Sequence, residues 1–300
     1  MRFILSGAVF AVFLINGCIP PPPDASTYAR ETDTRPNYTA EQFKEMKKLK
    51  LGPVKERVGL IIAPGRYETD SYTVNGCIQE GFEMILSSMD DHFDYVYYTS
   101  AMKSTRSDVL AKVDRCLSSC GKDSLLTVFL AGSVVRAGDD WYLVCYDTAP
   151  GKVPATAVSL KSLFAKFEHA GCGRVLVFAD IYPVGDNNPG EAIRYLAGLP
   201  AFKAEYDLSV EMRLLLTNFS PGGKPYNFYV GFQGTDIFSW YLTLGLRGQA
   251  EREVNGGNND GKTTVDELVR YISEELAGAM VYKQRPYRIG NFSPETVVIK

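Results

Sequence analysis

Histidine and tryptophan are scarce, two of each in 300 residues, which leaves little material for a histidine-built metal site. An excess of one charge is also missing. Lys and Arg total 32 against 35 Asp and Glu, a formal charge of −3, so the clustered basic surplus that nucleic acid demands is absent. Six cysteines, widely spaced, are too few for a disulfide scaffold. The apolar run Phe3–Ile15, broken only by Ser6 and Gly7, falls short of the ~20 residues that cross a bilayer. What remains is ordinary globular material: 45% apolar and 12% aromatic, with 18 Tyr and 16 Phe. That is enough for a sizeable core without covalent staples.

The first residues read as a targeting segment. Arg2 is a short basic region, the apolar run follows, and the segment closes on Leu14-Ile15-Asn16-Gly17-Cys18. A branched aliphatic and a small residue before Cys resemble a bacterial lipoprotein signal. The expectation is a signal peptide over 1–17, with Cys18 acylated and anchoring an extracytoplasmic chain. A plain secretory peptide, with the chain released, is the alternative. Pro20 to Pro23 and the polar stretch after them stiffen a linker over 18–54 that lifts a domain, 55–300, off the membrane. Outside the cytoplasm disulfides can form. Cys77, Cys116, Cys120, Cys145 and Cys172 are odd in number, so at least one is free or pairs between chains.

From Val58 short apolar runs alternate with helical patterns. Val58–Ala63, Phe93–Thr99, Ser124–Ala131, Arg174–Asp180, Arg213–Phe219 and Glu295–Ile299 read as strands, with Trp141–Tyr146 as a hairpin arm. Apolar residues at 3–4 spacing predict helices from Cys77, over Ser104–Cys120 and Ser159–His169, and over Thr235–Leu246 and Thr264–Ala279. This alternation predicts an α/β domain, a three-layer αβα sandwich around a mainly parallel sheet. Ligands of such sheets sit beyond the carboxyl ends of the strands, which directs attention to the turns after Ala63, Ala131, Asp180 and Phe219.

Taken in order, those turns resemble the caspase and metacaspase-like cysteine peptidases over nearly all of 55–300. The carriers are Pro64-Gly65-Arg66-Tyr67 after the first strand, Thr105-Arg106 before a helix, Phe129–Val134 followed by Trp141–Val144 and Asp147, and Asp180-Ile181-Tyr182-Pro183-Val184-Gly185. In the C-terminal half they are Phe238–Leu242, Leu246–Ala250, Asp260-Gly261 with Glu267-Leu268, and Gln284 with Pro286. The resemblance implies a caspase-like fold, with a catalytic His at position 133 and a catalytic Cys at position 182. This chain has Ser133 and Tyr182 there, 49 residues apart as the pattern requires. A phenol of pKa near 10 is a poor nucleophile and a serine hydroxyl is no base at neutral pH. The dyad is lost. Asp180 stands where the metacaspase branch binds a basic substrate side chain, and Gly132 and Gly185 stand where backbone approaches a bound peptide. For Asp180 the alternative is a strand-end carboxylate that caps nearby backbone. Asp186-Asn187-Asn188-Pro189-Gly190 reads as a loop beside that cleft, and Arg136, Asp139 and Asp140 read as surface charges.

Chemistry relocated elsewhere would have to use Cys172, three residues after His169, yet that site lies at the amino end of its strand, ~23 Å from Asp180. Cys145 reads as core and His92 as a turn residue. Gly256 to Glu267 resembles a calcium loop with Gly261 at position six and Glu267 at position twelve. Position one is Gly256, so only Asn258, Asp260 and Glu267 remain as ligands, and a metal-free turn is the simpler reading.

The expectation is therefore a catalytically inactive caspase-like lipoprotein domain that binds a peptide or protein partner in the former substrate groove. It needs no cofactor and binds no nucleic acid. An active cysteine endopeptidase using Cys172, a calcium-responsive module, and a nucleotide or flavodoxin-like binder are the alternatives. The last lacks a glycine-rich phosphate loop after its first strand.

Overall fold

The computed structural model describes residues 51–72, 77–185, 187–202, 212–219, 236–279 and 286–300, together with Glu41. The signal segment, Cys18 and most of the 18–54 linker lie outside the described residues. Among the described residues no helix is long and apolar enough to cross a membrane.

The core is a mostly parallel sheet. Strands β1 (Glu56–Ile62), β2 (Tyr95–Tyr98), β3 (Ser124–Ala137), β6 (Arg174–Pro183), β7 (Met212–Thr217) and β9 (Tyr287–Asn291) are ordered β2-β1-β3-β6-β7-β9. All neighbours run parallel except β9, which is antiparallel to β7. β4 (Asp140–Leu143) folds back on the far end of β3, and β5 (Val158–Ser159) pairs with β4. The helices are α1 (Cys77–Asp90), α2 (Arg106–Ser118), α3 (Leu160–Glu168), α4 (Pro189–Ala197), α5 (Ile237–Leu246) and α6 (Val265–Ala279).

The near-continuous apolar strands have this composition because both of their faces are covered. Successive residues point to opposite sides, and the buried set divides accordingly. Leu126, Val128 and Leu130 of β3 join the cluster that holds Val109 and Val113 of α2, Phe164 of α3 and Ile193 of α4. Leu125, Phe129 and Ala131 join the one that holds Ile85 of α1, Phe238 of α5 and Ile272 of α6. Burying a Leu or Phe side chain of this kind stabilises by ~1.5–3 kcal/mol.

Several boundaries differ from the sequence reading, each for a local reason. β3 runs past Ala131 to Ala137, because Gly132 lets the chain bend and Gly138, at φ +63°, closes a hairpin onto β4. The sequence reads as loop over 186–190, but α4 already begins at Pro189. Asn188 caps it by accepting from the Gly190 N–H at 2.9 Å, and proline fits the first helical position. The last strand, β10 (Val297–Ile299), pairs with β8 (Thr263–Thr264) in a separate two-stranded ribbon. The sheet edge belongs instead to β9, whose mixed Tyr-Arg-Ile-Gly-Asn sequence carries no strand signature.

Candidate functional site

The sheet register brings positions 133 and 182 together. Ala131 pairs with Asp180, and Ser133 pairs with Tyr182. Residues 49 apart in sequence are therefore direct neighbours at the carboxyl ends of adjacent strands.

Both side chains are committed to the interior. Ser133 is fully buried. Its Oγ donates to the Tyr72 carbonyl at 2.6 Å, and its N–H donates to Tyr67 Oη at 2.9 Å. That hydroxyl in turn donates to the Pro64 carbonyl at 2.6 Å. Burial pushes the Tyr67 phenol up to about 12, so it holds its proton throughout the physiological range. The turn after β1 is thereby tied across β3. Gly132 permits the approach: its φ is +146°, and an added Cβ would lie 3.1 Å from Leu143 Cδ1 and 3.3 Å from the Pro64 oxygen.

Tyr182 is 4% exposed, and its nearby hydroxyl favours the ionised form of the Asp180 carboxyl. Asp180 is completely buried. Asn218 Nδ2 donates to its Oδ1 at 2.7 Å and Ser239 Oγ to its Oδ2 at 3.1 Å. A second buried carboxyl, Asp236, lies within hydrogen-bond reach of it. Asp236 caps α5, its Oδ1 accepting the Ser239 N–H at 2.8 Å. Among the described residues its Oδ2 has no hydrogen-bond partner. Removal from water, and then the neighbouring carboxylate, hold Asp180 well above the usual carboxylate range; desolvation likewise raises Asp236. Two carboxyls this close cannot both ionise cheaply, so the pair keeps one proton between them.

A basic side chain reaches Asp180 only by displacing the groups that now bond to it. Gly185 is the exposed member of the expected groove, at φ +73° in the turn after β6. Asp186 lies outside the described residues. Arg136 pairs with Glu191 at 3.0 Å on the surface, and Asp139 is exposed. Asp140 is less free than a surface charge, since Ser159 Oγ donates to it at 2.5 Å and Tyr195 also bonds to it.

The remaining candidates stay apart from this place. Both histidines sit at amino ends of strands, His92 before β2 and His169 as the C-cap of α3 before β6. Cys172 is fully buried, also at the amino side of β6. Cys145 is fully buried, its thiol pushed up to about 12 by desolvation. A cavity of about 490 Å³ opens at that amino end too, lined by Arg57, Arg174, Lys262 and Glu295 among others. Arg57 there holds β10, donating to the Val298 carbonyl at 2.8 Å, and Arg174 bonds to the Gly52 carbonyl.

The Gly256–Glu267 turn is organised around backbone amides. Glu267 accepts from the Asn258 N–H at 3.2 Å, the Thr264 N–H at 2.9 Å and Thr264 Oγ1 at 2.8 Å. Asn258 accepts from the Asp260 N–H at 2.9 Å, and Asp260 from the Lys262 N–H at 3.0 Å. In this arrangement hydrogen-bond donors face the Glu267 carboxylate. Among the described residues no group of three or more His, Cys, Asp or Glu is placed to hold a metal.

Sequence reasoning missed Asp236, Ser239, Asn218 and Tyr72. Asp236 carries a signal, a capping residue directly before an apolar helix. Its proximity to Asp180 is purely tertiary. No protein-family model matches the chain, and no curated protein matches it.

Proposed function

We propose that this chain is a non-catalytic caspase-like domain, a three-layer αβα sandwich displayed outside the cytoplasm on a lipid anchor at Cys18, which binds a peptide or protein partner at the carboxyl ends of its sheet. One observation carries the reading. The register places Ser133 and Tyr182 side by side, where the resemblance expects His and Cys; both side chains are buried, and the Ser133 hydroxyl is spent on the Tyr72 carbonyl. Covalent attack needs an activated nucleophile beside a base. Here a buried alcohol lies next to a buried phenol, and both histidines lie at the other end of the sheet.

The partner surface in this reading is the rim rather than the floor. Gly185 and Asn188 beyond β6 are exposed, while Asp180 is held inside by Asn218 and Ser239. The test exposes the full chain to a mixed peptide library and reads both retained and cleaved peptides. The reading predicts peptides retained intact, with retention lost on substituting Gly185→Trp. Cleavage products, or no retention at all, would contradict it.

A further inference from the structure

Three of the cysteines meet at the amino end of the sheet, far from the site above. Cys116 lies in α2 and Cys120 one turn later, just past its end; Cys172 lies in the turn between α3 and β6. The parallel pairing of Leu125 with Arg174 brings these segments together. Their backbones run in close contact: a Cβ built on Gly171 would sit 3.5 Å from the Cys120 carbonyl oxygen, and one on Gly173 would overlap the Lys122 carbonyl. The Cys120 Sγ donates to the Cys116 carbonyl at 3.5 Å and lies within hydrogen-bond reach of both the Cys116 and Cys172 thiols. Cys116 and Cys172 are fully buried, whereas Cys120 is partly exposed.

We propose that Cys120 and Cys172 form an intramolecular disulfide when the chain meets a thiol–disulfide oxidant, with Cys120 as the entry thiol. The Cys120 thiolate attacks one sulfur of the oxidant's disulfide and forms a mixed disulfide, releasing the first thiol. Cys172 then attacks the Cys120 sulfur and releases the second. Two protein thiols lose two electrons to become one S–S bond, and the oxidant's disulfide is reduced to two thiols, which carry away both protons. Exposure selects Cys120 as the first to react. Hydrogen bonds from the Cys116 and then the Cys172 thiol pull its own thiol below the ordinary range, while the Cys116 thiol is pushed up; the thiolate is the reactive form. Cys116 is the poorer partner. It is one turn away along the same chain, where Cβ atoms stand side by side rather than facing. Closing 120 to 172 instead joins the end of α2 to the start of β6 across a long loop, where a cross-link restrains the unfolded chain most.

The inference is independent of peptide binding, and its test needs no partner. The reduced full chain is exposed to glutathione disulfide, alkylated, and mapped by mass spectrometry without reduction. The expected result is a Cys120–Cys172 linked peptide within one chain and a rise in the unfolding midpoint on the order of 10 °C. Cys120→Ser is expected to abolish both, while its midpoint stays within about 2 °C of the reduced wild type, since the side chain is partly exposed. Cys120 remaining alkylated or as a stable glutathione adduct, a Cys116–Cys120 link, or a link between two chains would each overturn the proposal.

Discussion

The Asp180–Asp236 pair makes the stability of this domain depend on pH in an unusual direction. Both carboxyls are raised, so the folded chain binds more protons than the unfolded one across the window above the usual carboxylate range. Stability must then fall as pH climbs from about 4 towards the folded values, by up to about 1.4 kcal/mol per pH unit for one proton. For a domain of this size that is roughly 3–6 °C of unfolding midpoint per pH unit. Asp236→Asn isolates the effect. Asparagine keeps the α5 cap, because its carbonyl can still accept the Ser239 N–H. Its amide supplies Asp180 with a donor and removes the facing charge. The slope between pH 5 and 8 should flatten, and at pH 8 the variant should be the more stable protein. Asp236→Ala flattens the slope as well but loses the cap, about 1 kcal/mol at every pH. Thermal unfolding followed by circular dichroism across that range decides the matter. An Asn variant that retained the full wild-type slope would refute a shared proton.

Three further outcomes follow from the same geometry. Tyr67→Phe removes the bridge between the Ser133 N–H and the Pro64 carbonyl, and should cost about 2 kcal/mol in denaturant unfolding. Gly132→Ala combines a positive φ with contacts on Leu143 and the Pro64 oxygen, and should destabilise by about 1–3 kcal/mol, more than Gly138→Ala in its open hairpin turn. Added calcium should leave the unfolding midpoint unchanged, since Glu267 is occupied by the Asn258 and Thr264 amides; a midpoint that rose with calcium concentration would show a bound ion.

Much of the sheet was legible because burial on both faces writes continuous apolar runs, as in Val58–Ile62 and Val175–Ala179. α2 was legible in the 3–4 spacing of its apolar residues; its cap came only with the structure, where Thr105 Oγ1 accepts the Asp108 N–H at 3.2 Å and Asp108 accepts the Thr105 N–H at 3.0 Å. β9 was not legible, because an edge strand of Tyr, Arg, Ile, Gly and Asn has neither alternation nor an apolar run. At the site, the resemblance rather than any local signal pointed to Ser133 and Tyr182 as neighbours, and the register pairs them. Their burial was not legible, since it depends on Tyr72 and Tyr67 arriving from the turn after β1. Nor was the raised pKa of Asp180, which burial sets first and Asp236, 56 residues away, raises further. Local sequence encodes capping and periodicity. A pKa is set by whatever tertiary neighbours the fold delivers.

The claim that this architecture has lost its chemistry is tested most directly by putting the chemistry back. Ser133→His with Tyr182→Cys places an imidazole and a thiol on directly paired positions of adjacent strands. Purified wild type and double variant would be incubated side by side with a mixed peptide library, with products read by mass spectrometry. The account predicts no cleavage by the wild type and thiol-dependent cleavage by the double variant. Cleavage by the wild type would contradict it.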